Sequence, residues 1–134
     1  LEEKRFQLSD NESQILNTLW KEDRALTRAE IIEFTENKTW KASSIHILLN
    51  QLLGKGAIVV EGYVQSGKNY GRTYKASLNK DEYDAMIFKS DYLKLSPSKA
   101  ALNDFFKFLI SVNKIDESTI KNIKSMLKEQ EKNN

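Results

Sequence analysis

Apolar positions recur at helical spacing along most of this chain and alternate mainly between Ala57 and Ala76. The clearest stripe lies in Trp40–Gly56, where Ile45, Leu48, Leu49, Leu52 and Leu53 stand at i, i+3, i+4, i+7 and i+8 of one helix face. At about 100° per residue the opposite face carries Ser43, Ile47, Asn50 and Gln51, flanked by Ser44 and His46. The pattern predicts a helix over 42–54, ended at Gly56, a residue that readily adopts the left-handed conformation past a helix terminus. A face that needed only solvation would carry Lys and Glu. Short polar groups around one isoleucine point instead to a specific contact.

Two short helices precede this one. Ser9-Asp10-Asn11-Glu12 reads as a capping box opening a helix over Asp10 to Glu22, with Ile15, Leu16, Leu19 and Trp20 as its apolar stripe. Thr27-Arg28-Ala29-Glu30 repeats the box, with Leu26 placed to staple onto Ile31, and that helix should end between Thr35 and Asn37. Three helices with a tight connection between the last two make a helix-turn-helix plan. After Gly56 the period changes to two: Ala57–Val64 reads as a strand, Gln65–Gly71 as a turn and Arg72–Ala76 as a returning strand. A lone hairpin is marginal and must pack on the helices, which makes a winged-helix arrangement.

Asn79 to Glu82 should open a further helix with Tyr83, Met86, Ile87 and Leu93 on its apolar side. Ser96-Pro97 reads as a cap and first position of another, and Asp116 as the cap of a last one. The first of these two carries Phe105, Phe106 and Leu109 in an apolar surface that runs nearly all the way round; the second carries Ile120, Ile123 and Leu127 on one face. So few helices cannot enclose that surface within one chain, and a second copy in a twofold homodimer is the expected cover, folding back on the amino-terminal half being the alternative. The fold class expected is therefore mainly α with a small β-hairpin (α+β): a winged helix-turn-helix domain over 8–78 and a helical dimerisation domain over 79–131.

Charge sharpens the picture only when divided. The net charge is +2, but residues 37–75 hold six cations (Lys38, Lys41, Lys55, Lys68, Arg72 and Lys75) against Glu61 alone. A basic surplus on and after the 42–54 helix is what a polyanion reads, random clustering of lysines being the bland alternative. In the major groove, Asn50 and Gln51 could pair with adenine, Ser43 and Ser44 with bases or phosphates, and Ile47 could cover a thymine methyl; positions near the helix start are the better placed. Lys41, Lys55, Lys68, Arg72 and Lys75 are assigned to phosphates, with His46 as a flanking phosphate contact. Quieter roles exist: Ile47 packing on the preceding helix, Tyr70 and Tyr74 packing across strands, Trp20 in the core and Trp40 at its edge.

Composition excludes other classes. With no cysteine there is no disulfide framework, thiolate site or thiol nucleophile, and a reducing, cytoplasmic setting is expected. No apolar run approaches a membrane span. One histidine and no phosphate loop or metal-ligand spacing leave no coherent catalytic set, so neither an enzyme nor a cofactor is expected.

The ordered set Leu8-Ser9-Asp10-x-Glu12, Leu19-Trp20, Leu26-Thr27-x-x-Glu30-Ile31, Trp40-x-x-Ser43-Ser44-Ile45-x-x-Leu48-Leu49, Leu52-x-x-Lys55-Gly56 and Gly71-Arg72-x-Tyr74 resembles the penicillinase repressor family. The resemblance runs from about Leu8 to Leu127. It implies a dimeric winged-helix repressor on a palindromic operator in double-stranded DNA, released when a sensor-protease pathway cuts the carboxy-terminal segment. Lys41-Ala42 stands where the family often has Ser-Pro, Ile47 where threonine is usual and Gln51 where arginine is usual. The family's scissile Asn-Phe pair is absent, since Asp104 separates Asn103 from Phe105. The cysteine cluster of copper-responsive relatives is absent too. A winged-helix module that binds a protein, with Ile47 as its anchor, is the alternative function; weak salt dependence would distinguish it.

Overall fold

The computed structural model describes residues 5–66, 69–112 and 115–134, with backbone alone for Ser66 and Asn69. Its described elements are α1 (Asp10–Glu22), β1 (Leu26–Thr27), α2 (Arg28–Phe34), a 3-10 turn (Ala42–Ser44), α3 (Ile45–Lys55), β2 (Ile58–Ser66), β3 (Asn69–Ala76), α4 (Lys80–Leu95), α5 (Lys99–Ser111) and α6 (Glu117–Lys132). They form two units, Leu1–Asp91 and Tyr92–Asn134, divided inside α4. The class is α+β: helices with a small antiparallel sheet, a winged helix.

Both amino-terminal capping boxes form. Ser9 Oγ accepts from the Glu12 amide while Glu12 Oε1 accepts from the Ser9 amide, and Thr27 and Glu30 do the same for α2. Leu26 and Ile31 are fully buried, as the staple requires. Leu26 and Thr27 also form a strand, pairing with Tyr74 and Thr73, so the sheet has three strands in the order β1-β3-β2. Two residues are too short for any alternation to announce them; the edge of β3 recruits them.

The hairpin is longer than its sequence pattern predicts. Pairing continues to Gln65 opposite Tyr70 and Ser66 opposite Asn69, so most of the stretch read as turn is strand. The backbone ladder holds these polar and glycine residues in register where their propensity would not. Lys68, expected at the tip, lies outside the described residues. A bulge between Val60 and Gly62 shifts the register of β2. Tyr74 is buried in the core, whereas Tyr70 stands exposed.

The core of the first unit joins Ile15, Leu16 and Leu19 of α1, Leu26, Ile31, Trp40, the inward stripe of α3, and Ala57, Ile58 and Tyr74. Trp40 is buried here, while Trp20 is only partly covered: its indole donates to the Leu78 carbonyl at 2.8 Å and its ring meets Tyr83. The expected roles of the two tryptophans are thus exchanged, because Trp40 enters from a connection that closes over the core.

Of the ion pairs described in this unit, one has a buried member. Glu12 is 1% exposed, and its Oε1 accepts from Lys55 Nζ at 2.5 Å as well as from the Ser9 amide. Lys55 also donates to the Gln7 carbonyl at 2.7 Å. Burial pushes the Glu12 carboxyl up, but Lys55 and the two Ser9 hydrogen bonds outweigh it and hold it below the usual carboxylate range.

In the second unit, Ser96 is not the cap of α5. It sits at φ 45° with its amide on the Tyr92 carbonyl, closing α4, and Pro97 follows as a residue that cannot continue the helix. The cap is Ser98, whose hydroxyl accepts from the Ala101 amide. Asp116 caps α6 as its pattern predicts, accepting from the Thr119 amide at 2.7 Å. Neither α5 nor α6 buries a residue within the single chain, and Phe105, Phe106, Phe108 and Leu127 are more than half exposed.

Removing the ammonium of Lys55 leaves a buried carboxylate without its cation. Lys55→Met should cost about 2–3 kcal/mol in urea unfolding, below the 3–5 of a fully enclosed pair because Lys55 itself meets solvent. The lowered Glu12 carboxyl adds stability that is complete above its unfolded value of about 4.3 and is lost as pH falls through the folded value. Melting between about pH 5 and 3 should therefore show a smaller acid loss in Glu12→Gln than in the parent.

Candidate nucleic-acid interface

The rotation of α3 is set from inside. Ile45, Leu48, Leu49 and Leu52 are all buried, so the remaining side of the helix must face out. On that side Ile47 is 62% exposed, with His46, Asn50 and Gln51 also exposed. Ile47 does not pack on α2. Just before the helix, the 3-10 turn leaves Ser43 exposed and Ser44 half-buried. Lys41 provides no side-chain cap, and Ser44 closes the turn through its amide on the Lys41 carbonyl at 2.8 Å. The helix therefore starts at Ile45, three residues later than its pattern predicts, because the unassisted first turn tightens to i→i+3 bonds. At the far end Gly56 has φ 77°, and the Gly56 and Ala57 amides bond the Leu53 and Leu52 carbonyls in a Schellman motif.

The connection from α2 to α3 is fixed by side chains. Thr18 and Thr35 share a buried hydroxyl hydrogen bond at 2.8 Å, and Lys38 donates to the Ile32 and Thr35 carbonyls. Thr39 bonds Asn11 and Gln14 of α1 through its hydroxyl and amide. This polar network holds the entry of α3 against α1, so the outward face has a fixed origin as well as a fixed rotation.

Two depressions border that face. One, of about 460 Å³, is lined by Asn11, Thr39, Lys41, Ser44, Ile47 and Gln51, among others. The other, of about 950 Å³, lies between the helices and the hairpin and is lined by Arg28, His46, Asn50, Tyr70 and Arg72. The structure thus gathers Lys41, Ser44, Ile47 and Gln51 on one side of α3, and His46, Asn50 and Arg72 on the other. Ser43 adjoins this face at the helix entrance. Lys75 is not brought to it: it lines a separate depression with Trp20, Asp23 and Glu61. The Lys55 ammonium is likewise committed to Glu12 and the Gln7 carbonyl, away from the role its charge alone had suggested.

Arg28 belongs to this region although no sequence pattern singles it out. It follows the Thr27 cap in an acidic stretch, where it reads as an ordinary helix-start residue. In the fold its Nη1 lies 2.5 Å from His46 Nε2. The carboxylate nearby is spoken for: Glu30 accepts from Arg24 at 2.8 Å and from the Thr27 amide, which together hold its carboxyl below the usual range. The only available hint is a cation at the second position of that cap motif, too common to carry meaning.

The arrangement offers short donors and acceptors and one aliphatic side chain along a helix, with cations to either side. The penicillinase repressor family profile matches residues 8–129. A penicillinase repressor of Bacillus licheniformis is 29% identical over 100 residues, which cover 75% of this chain and 66% of the relative. The chain thus spans just under two thirds of that relative's length. With nearly the whole sequence matched, the chain belongs to the penicillinase repressor family.

Proposed function

We propose that this protein is a sequence-specific transcriptional repressor that binds a palindromic operator as a homodimer, with α3 in the major groove and the hairpin along phosphates. The observation that carries the reading is the 62% exposure of Ile47 on a helix whose other apolar residues are buried. An isoleucine has no hydration to gain there, and amid Ser43, Ser44 and Gln51 it has the chemistry to meet a thymine methyl. Asn50 and Gln51 can bond adenine, while Lys41 and Arg72 neutralise phosphates, which position without specifying. Lys55 and Lys75 have no part in this surface. The name of the Bacillus licheniformis relative, a repressor, supports the same reading.

Dimerisation is assigned to α5 and α6. Phe105, Phe106 and Leu109 on one and Ile120, Ile123 and Leu127 on the other give a second copy of the segment an apolar surface to cover. Closed twofold pairs are the commonest oligomer, and a twofold protein matches a palindromic site. No described helix is long and apolar enough to cross a membrane.

Selection of bound duplexes from a random pool tests the reading directly: an enriched inverted repeat with half-sites about 34–36 Å apart, or a multiple, is expected. No enrichment would overturn it. Against the selected site, Ile47→Ala should lose about 1–3 kcal/mol of discrimination at one position per half-site. Arg72→Ala should instead weaken selected and scrambled duplexes by the same factor in a gel-shift titration. Phe106→Asp should convert the dimer to monomer in sedimentation velocity while the melting of the first unit is retained.

A further inference from the structure

We propose that Phe6 and Tyr83 are positioning residues that set the half-site separation the dimer accepts, by clamping the root of α4 to the end of α3. This rests on the dimeric DNA-binding reading above and adds residues outside the surface assigned to DNA. Among the described residues, α4 buries Met86 alone. One buried contact leaves a helix free to pivot, so its direction needs a second hold close by. Tyr83, one turn earlier on the same face, supplies it. Its ring stacks on Phe6 at 5.9 Å between centroids with the planes 29° apart, and meets Trp20 of α1 at 5.3 Å. Lys80 Nζ lies 5.6 Å from the Trp20 ring and 5.9 Å from that of Tyr83. The Trp20 indole also holds the Leu78 carbonyl, just before α4 begins.

Phe6 is in turn tied to the reading helix. The next residue, Gln7, gives its carbonyl to Lys55 Nζ at 2.7 Å, and Ser9 joins the capping box of α1. The segment from Phe6 to Ser9 thus touches the last turn of α3, the first turn of α1 and the root of α4. Past Asp91, α4 continues into the part of the chain assigned to dimerisation. At 1.5 Å per residue, about 18 Å separates Tyr83 from Leu95 along the helix. A swing of about 10° therefore displaces Leu95 by about 3 Å, close to the rise of one base pair. Both protomers of a twofold pair would contribute such a shift. The angle held at Tyr83 then decides which operator separation lets both copies of α3 dock at once.

Fluorescence anisotropy tests this with three duplexes: the selected inverted repeat, the same repeat with one base pair added between its half-sites, and a single half-site. The parent should favour the selected separation over the lengthened one by about tenfold or more, because a stiff link leaves one head unable to dock. Phe6→Ala should reduce that preference to about twofold while affinity for the single half-site stays at the parent's level. Tyr83→Ala, which leaves the amino-terminal segment unchanged, should do the same, and the double variant should go no further than either. Phe6→Tyr keeps the stacked ring and should restore the preference. A preference that stays at the parent's value in Phe6→Ala or Tyr83→Ala, or that falls only together with half-site affinity in both, overturns the clamp while leaving DNA binding intact. A parent with equal affinity for the two separations overturns the dimeric reading, and one that binds no duplex overturns the DNA reading itself.

Discussion

Burying Ile45, Leu48, Leu49 and Leu52 against α1 and the sheet leaves α3 one possible rotation. A helix advances about 100° per residue, so four inward anchors over two turns determine every outward position between them. The direction of Ile47, Asn50 and Gln51 is thus a consequence of the core. The same argument gives the site its rigidity. Turning α3 by one residue would expose three or four large aliphatic side chains, each worth about 1.5–3 kcal/mol of burial. That cost exceeds what any surface contact could return.

Rotation alone does not fix where the helix starts or ends, and polar groups supply both. Thr39, Asn11 and Gln14 tie its entrance to α1, and the Lys55–Glu12 pair ties its exit to the start of that same helix. Glu12 serves twice, as the capping-box acceptor of α1 and as the anion for Lys55. One carboxylate therefore links the first helix turn of the domain to the last turn of α3. Replacing it with an apolar residue would fill the space but cut both ties, which is why a charge is kept where burial disfavours it.

Most of the first unit could be read from the sequence because its signals are local. Capping boxes at Ser9 and Thr27, the stripe of α3 and Gly56 all depend on neighbours within a few residues. What could not be read depends on distant partners. Leu26 and Thr27 become a strand only because β3 passes beside them, and Gln65 and Tyr70 extend the hairpin only because they face each other. Among the candidate contacts, exposure on α3 was legible from periodicity. The fate of Lys55 and Lys75 was not, because a lysine's reach lets partners elsewhere decide where its charge goes. Arg28 shows the converse: its meeting with His46 joins positions far apart in the chain, and nothing near it in sequence marks the encounter.

The size of the outward face bears on why a repressor of this design would need two copies. The side chains at the exposed surface of α3 can reach only a few base pairs, each worth about 1–3 kcal/mol of discrimination. At about two such contacts a single face supplies roughly 2–6 kcal/mol, reaching only the lower part of the roughly 4–10 kcal/mol that separates specific from non-specific binding. In the proposed reading, phosphate contacts through Lys41 or Arg72 raise affinity for every sequence and do not close that gap. Two faces held by one apolar interface double the discrimination without enlarging the domain. The uncovered aromatic surface of α5 and α6 and the modest recognition surface of α3 are, in the proposed reading, two parts of one requirement. A chain that could cover α5 and α6 by itself would give up the means of reading an operator twice.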